Sequence, residues 1–364
     1  MRKKNTSTSS ISAGHTMGID LGDRFSHVHV VDAVGGGVFD GRVPMSPASV
    51  ESFLKSLPRL RVAMEAGTHS SWVARIAAAT GHEVIVANPR KVRLIGQNTR
   101  KSDRADAERL ARLARMDPAL LGPITHRDVQ AQRDLAVVRS RDALVQSRTM
   151  LVNRVRGTLK SFGLHPAKCS TANFAKKLAA DVPDELKPAI LPLLEILFEL
   201  NLRIACFDRE VERLSEEQYP VVQGLCEIAG VGPITALAYV LTVDNPRRFA
   251  KSRDVAAYLG LVPRQRQSGE RDPQMHITKT GSTLMRRLLV SAAHYIIGPF
   301  GKDCDLRRFG LALAARGGAA GKKRAIVAVA RKLAVVMHRL WSSGEVYDPN
   351  RNRRGETRNQ PAAA

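Results

Sequence analysis

The hydrophobic period of this chain changes once, near residue 125, and that change decides what each side can fold into. Before it, apolar residues stand in short runs between glycine-bearing turns: Met17 to Asp20, His27 to Asp32, Val38 to Val43, Arg61 to Glu65 and Glu83 to Ala87. Such runs read as strands. Residues 47–57 and 69–80 have helical spacing, and a basic stretch from Arg90 leads to a helix starting near Ser102. Three successive strands followed by alternating helix and strand predict a mixed α/β sheet, closed at Pro123.

Beyond the change, residues 128–218 contain no strand pattern. Val138, Val145, Val152 and Leu159 recur every seven residues, widened by Val137, Leu144 and Leu151. Leu193, Leu197, Leu200, Ile204, Phe207, Val211 and Leu214 then alternate steps of four and three. This is a coiled-coil seam, and a seam does not name its partner: an intramolecular hairpin and a dimerisation arm both fit. Pro192 is expected in the first turn of the second helix. The expected organisation is a flexible basic tail at 1–16, an α/β domain at 17–124, a coiled-coil region at 125–220, a mostly helical domain at 221–345 and a disordered Arg-rich tail at 346–364.

Lys and Arg outnumber Asp and Glu by 57 to 34, a net charge of +23. That surplus points to a polyanionic partner, nucleic acid or an anionic membrane surface. No apolar run is long enough to span a bilayer, since Leu191 to Leu200 already contains Glu195 and Glu199, and the Ser/Thr-rich start lacks the core of a secretion signal. Nucleic acid is the better reading, with no membrane partner. The cysteines, Cys169, Cys206, Cys226 and Cys304, are scattered, which suits a reducing cytoplasm and neither a zinc site nor a disulfide framework. Residues 219–364 hold 24 basic against 10 acidic residues, so phosphate contacts should concentrate there.

Acids grouped in the N-terminal part therefore need a reason. Asp20 ends the strand Met17-Gly-Ile-Asp and Glu65 ends Val62-Ala-Met-Glu, each followed within two residues by glycine. Asp103 and Asp106, in Lys101-Ser-Asp-Arg-Ala-Asp, share one face of a helix start. Taken singly, Asp20 can cap a turn, and Asp103 can be an acid favoured by a helix dipole. Four acids at one site would repel each other unless a cation neutralised them, and Mg²⁺ takes such oxygen ligands in phosphoryl transfer.

The order Gly-Ile-Asp, Met-Glu-Ala-Gly and Lys-Ser-Asp-x-x-Asp resembles the RuvC-like domain of the DEDD insertion-sequence transposases, relatives of the Piv invertase. The resemblance implies a ribonuclease-H-like fold in which Asp20, Glu65, Asp103 and Asp106 bind Mg²⁺. Gly-Ile-Asp-Leu-Gly also resembles the first phosphate loop of actin-like ATPases and sugar kinases, but the second Asp-x-Gly loop and adenosine-binding Gly-Gly segment are not found after residue 120.

In the C-terminal part, Cys226-Glu-Ile-Ala-Gly-Val-Gly-Pro reads as a helix-hairpin-helix whose Gly230 and Gly232 let a phosphate approach a helix N-terminus. The plainer reading is a helix turn. Tyr258-Leu-Gly-Leu-Val-Pro-Arg-Gln-Arg-Gln-Ser-Gly, with His276-Ile-Thr-Lys-Thr-Gly, resembles the second domain of the same transposases. The resemblance implies that Ser268 is a nucleophile forming a covalent link to DNA, with an RNA from the element bridging target and donor. Arg264, Arg266 and Arg271 lie close in sequence and can hold a scissile phosphate, and Lys279 is a further contact. A serine needs activation to attack. The competing Ser282 stands just before a helix and reads as an N-cap. Ser after Lys-x-Gly, where the family often has Asn or Asp, is a minor departure. The expected function is a homo-oligomeric (dimer or tetramer) DNA recombinase. The alternatives are a RuvC-like junction nuclease that uses water instead of Ser268, and a non-catalytic nucleic-acid-binding protein that retains the fold.

Overall fold

The computed structural model describes residues 8–95, 102–166, 168–269, 271, 273 and 275–352. The outer parts of both expected tails, and Lys101 of the acidic motif, lie outside the described residues. The chain divides into two compact units, Met1–His126 and Arg127–Ala364.

The first unit is a five-stranded sheet with helices on both faces. β1 (Thr16–Asp20), β2 (Phe25–Val31) and β3 (Gly37–Pro44) form an antiparallel meander. Helix α1 (Pro47–Lys55) leads to β4 (Arg61–Glu65), and α2 (Ser70–Ala79) to β5 (Glu83–Ala87), both parallel to β1 in the order β3-β2-β1-β4-β5. A short α3 (Pro89–Ile95) and α4 (Asp103–Met116) complete the unit. This mixed sheet is consistent with a ribonuclease-H-like domain. The strands match the runs read from the sequence to within two residues. Helix α3 was not expected; Asn88 starts it by accepting the Arg90 amide at 3.1 Å, ahead of a proline at its first position.

Strand alternation separates two packing environments. Met17, Ile19, Val62 and Met64 pack with Val50 and Leu54 of α1 and Val73 and Ala77 of α2. Ala63, Ile85 and Ala87 pack on the other face with Leu110 and Ala114 of α4. On that second face α4 lies so close to β1 that a Cβ at Gly18 would come 2.0 Å from the Ala107 carbonyl oxygen and 2.5 Å from the Ala111 nitrogen. Only glycine permits that approach.

The second unit is mostly helical. Its helices are α5 (Val129–Ser161), α6 (Phe174–Leu178), α7 (Lys187–Glu217), α8 (Val221–Cys226), α9 (Pro233–Val243), α10 (Ser252–Tyr258), α11 (Thr283–Ile297), α12 (Asp305–Ala315) and α13 (Gly318–Ser343). Helix α9 buries every residue from Ala236 to Val243, which marks it as the central helix. Tyr239 on it donates its hydroxyl to the Ala334 carbonyl at 2.7 Å.

The two long helices pack on each other. Val152, Val155 and Leu159 of α5 share a core with Ile190, Leu194 and Leu197 of α7, and at the other end Leu135 and Val138 share one with Val211 and Leu214. The buried part of the seam is thus filled from within the chain. Pro192 is a correction: α7 starts at Lys187, so Pro188 takes the place in the first turn and Pro192 lies inside the helix. There it removes the amide that would bond the Pro188 carbonyl, one intrahelical bond lost near the start of a long helix.

Candidate active site and nucleic-acid interface

Asp20 shares the parity of Gly18, and Glu65 that of Ala63, so both acids project on the α4 face. The parallel register pairs Ile19 with Met64, and one further step sets Asp20 beside Glu65. Helix α4 runs antiparallel to β1. Near its C-terminal end Arg112 donates to the Gly35 carbonyl at 3.0 Å and Arg115 to the Ala33 carbonyl at 3.0 Å, while Ala114 accepts from Arg61 at 3.1 Å at the start of β4. Its first turn, carrying Asp103 and Asp106, therefore lies toward the strand ends that carry Asp20 and Glu65. Ser102 fixes that turn by accepting the Ala105 amide at 3.3 Å.

The donor set is all carboxylate, as a hard divalent cation requires. Among the described residues no three His, Cys, Asp or Glu side chains stand close enough to enclose an ion as they are. Asp106 meanwhile pairs with Arg109 at 2.9 Å.

Two polar networks that the sequence did not reveal surround these acids. On β3, Asp40 hydrogen-bonds His27 at 2.9 Å and forms an ion pair with Arg104 at 2.5 Å. His27 is the cross-strand partner of Asp20, and Arg104 lies between Asp103 and Asp106, so Asp40 ties the acidic turn to the sheet. Burial pushes the Asp40 carboxyl up, but His27 and Arg104 outweigh it and hold the group below its ordinary value. Neighbouring His29 is held low by burial, against the pull of Glu108 and Asp40. In the second network, Trp72 donates to His69 at 3.2 Å and His69 meets Asp23 at 3.1 Å, joining the loops that follow Asp20 and Glu65. Each depends on a contact between residues far apart in sequence, which no local spacing announces.

In the second unit, residues 260–264 and 276–279 pair as a narrow two-stranded ribbon. Arg264 donates its amide to the His276 carbonyl at 2.9 Å, Thr278 to that of Val262 at 2.9 Å, and Lys279 to that of Gly260 at 3.1 Å. At the tip Ser268 and Arg271 exchange amides and carbonyls at 3.1 and 3.2 Å. Ser268, Arg264, Arg266 and Arg271 are all exposed. The root is rigid. Gly260 and Gly281, with φ of +70° and +67°, leave no room for a Cβ against Thr280 and Tyr258, and Arg286 donates to the Leu259 carbonyl at 3.3 Å and to that of Thr280. Lys279 adopts a φ of +54°, a strained conformation for a side-chain-bearing residue. Arg286 went unnoticed because it sits in an apolar helix like any solvated arginine.

Ser282 is the N-cap of α11 and accepts the Met285 amide at 3.2 Å. Between α8 and α9 the backbone turns at Gly230, whose φ of +87° and contact with Ala292 and Tyr295 exclude a side chain. At Gly232 a Cβ would meet nothing within 4 Å, so space outside the protein remains open beside the start of α9.

Two transposase family models match the chain, one in each half. A transposase model for the DEDD domain of the IS110 type matches residues 17–163, and one described as "Transposase IS116/IS110/IS902 family" matches residues 222–302. A probable family 20 transposase of Pseudomonas aeruginosa is 32% identical over 297 residues, covering 80% of this chain and 86% of its own length. The chain belongs to the IS110-type transposases. The transposase for insertion sequence element IS1111A of Coxiella burnetii is 30% identical, covering 91% of this chain and 90% of its own. A pilin gene-inverting protein of Moraxella bovis is 24% identical over 78% of this chain and 80% of its own length. The chain is thus a DNA transposase and recombinase by family. No helix among the described residues is long and apolar enough to cross a membrane.

Proposed function

We propose that this insertion-sequence transposase cleaves and rejoins DNA by a divided chemistry, with Asp20, Glu65, Asp103 and Asp106 holding Mg²⁺ and Ser268 attacking phosphorus. The observation that carries the metal part is the close approach of α4 to Gly18, which sends three separate segments' acids to one end of one sheet face. When bound, a divalent cation supplies positive charge for the phosphate oxygens in the transition state. In the attack, the Ser268 oxygen bonds to phosphorus and its proton passes to a base or water. The bond from phosphorus to the leaving sugar oxygen breaks, and that oxygen takes up a proton. Reversing the step with a new sugar hydroxyl joins strands without hydrolysis.

An exposed ribbon tip with a rigid root suits a nucleophile that must enter a duplex. Arg264, Arg266, Arg271 and Lys279 supply cations for the phosphate, and the open side of Gly232 suits a passing backbone. A protein rich in phosphate contacts can leave sequence choice to base pairing, so the reading includes an RNA of the element that selects target and donor. Each serine carries one strand at a time, so exchange between duplexes needs more than one copy of the chain. The test is to supply element-end DNA, the element's RNA and Mg²⁺ and look for joined product. Product formed equally well with EDTA in place of Mg²⁺ would refute the metal role.

A further inference from the structure

Asp40 stands on the edge strand β3 and is only 7% exposed, a position where packing alone favours an apolar side chain. Cross-strand register sets it beside His29, which stands beside Gly18, so Asp40 projects on the α4 face with the strand-end acids. One carboxylate oxygen hydrogen-bonds His27 Nε2 at 2.9 Å. The other lies 2.5 Å from Arg104 Nε and 3.6 Å from His29 Nδ1. The two closest contacts reach neighbours of different acids. His27 is the cross-strand partner of Asp20, and Arg104 stands between Asp103 and Asp106 at the start of α4.

The plain explanation is charge compensation, an acid buried with histidines and an arginine for partners. It accounts for His27 and His29, whose side chains are nearly as buried as that of Asp40. It does not account for Arg104, whose side chain is 45% exposed and can keep its charge in water without a protein partner. Nor does stability call for the cluster, since apolar residues of similar volume often serve as well as a buried ion pair or better. What the pair supplies is geometric. Helix α4 is held to the sheet in its middle, where Ala107 and Ala111 meet Gly18, and near its end by Arg112 and Arg115. The Asp40–Arg104 pair adds a tie at the first turn, where Asp103 and Asp106 stand. Ligands on separate elements bind a cation tightly only when their separation is fixed before it arrives.

We propose that Asp40 is a positioning residue that holds the first turn of α4 at a fixed distance from Asp20 and Glu65, so that the four acids take up a divalent cation. The inference rests on the proposed binding of Mg²⁺ by those acids. The test titrates the full chain and its variants with Mn²⁺ alone, following the free ion by electron paramagnetic resonance, and with Mg²⁺ during cleavage of element-end DNA. Asp40→Asn and Arg104→Gln each weaken Mn²⁺ binding about tenfold, and the double variant weakens it no further, because both break one link. The Mg²⁺ concentration at half-maximal cleavage rises by the same factor, while the rate at saturating Mg²⁺ stays within about twofold of wild type. Arg104→Lys, which keeps the cation, stays close to wild type. Glu51→Gln, which removes an acid from α1 on the other face of the sheet, changes neither quantity. Should the buried substitution unfold the chain, Arg104→Gln alone decides, since nearly half of that side chain is already in water. Unchanged Mn²⁺ affinity in either folded variant, or losses that add to about a hundredfold in the double variant, overturns the role of Asp40. Wild-type protein that binds no Mn²⁺ overturns the metal reading itself and this role with it.

Discussion

Asp20 and Glu65 differ from an ordinary pair of surface acids in being the last residues of adjacent strands, on the face where α4 begins. If they hold a cation, the charge matters and the shape does not. Asp20→Asn or Glu65→Gln should cut strand cleavage by at least about a hundredfold, while affinity for DNA stays within about twofold. Cleavage and binding assays on the same preparations check this, and a wild-type rate in either variant refutes it. His29 offers a prediction about pH. Burial holds its pKa below the ordinary 6.5, so it is neutral in the folded state and takes up a proton more readily when unfolded. Its contribution to stability is therefore complete above pH 6.5 and is lost as pH falls below that value. The thermal midpoint of wild type should drop more than that of His29→Asn between about pH 7 and pH 5. Parallel curves would remove His29 as the cause. Asp40, whose pKa is also lowered, loses its contribution only as pH falls through the carboxylate range, below 3.8.

At the scale of elements, the strands were legible because each is a short apolar run closed by glycine or proline, and the sheet's alternation sorted Asp20 and Glu65 onto one face. Ser282 was legible as a cap for the same reason: one hydroxyl before an apolar helix. The ribbon of residues 260–264 and 276–279 was not. It pairs through a few backbone bonds, with Pro263 and exposed arginines where a strand would alternate apolar and polar residues. Nor could the sequence reveal that Gly18 is the contact point of α4, since glycine's role there depends on a helix nearly ninety residues away. Gly18→Ala should therefore destabilise the first unit by about 1–3 kcal/mol or more and abolish cleavage, because α4 must lift. Gly157→Ala, in the interior of α5 with nothing within 4 Å, should be neutral or add about 0.5–1 kcal/mol. Thermal melts of the pair decide it; equal effects would mean that the close contact carries no weight. The seam makes a similar point. Leu200→Glu with Phe207→Glu should lower the melting temperature and leave the sedimentation coefficient unchanged, since the neighbouring buried positions pack within the chain. A shift to a smaller species would assign the seam to contacts between copies.

For the molecule as a whole, charge, family and fold agree: a +23 chain with a carboxylate-bearing sheet unit and a helical, arginine-rich unit belongs to enzymes that move DNA. The family places the chain among recombinases but does not say what becomes bonded to the DNA. A metal-activated water and a serine leave different products. A hydroxyl that attacks phosphorus must become part of the bond, whereas a capping hydroxyl only accepts an amide hydrogen. The direct measurement is to stop a cleavage reaction with denaturant and ask whether labelled DNA runs with the protein and is released by protease. An adduct is expected in wild type and in Ser282→Ala, where loss of a cap costs only about 1 kcal/mol, and none in Ser268→Ala. An adduct that persists in Ser268→Ala, or cleavage that proceeds without any adduct, would contradict attack by Ser268.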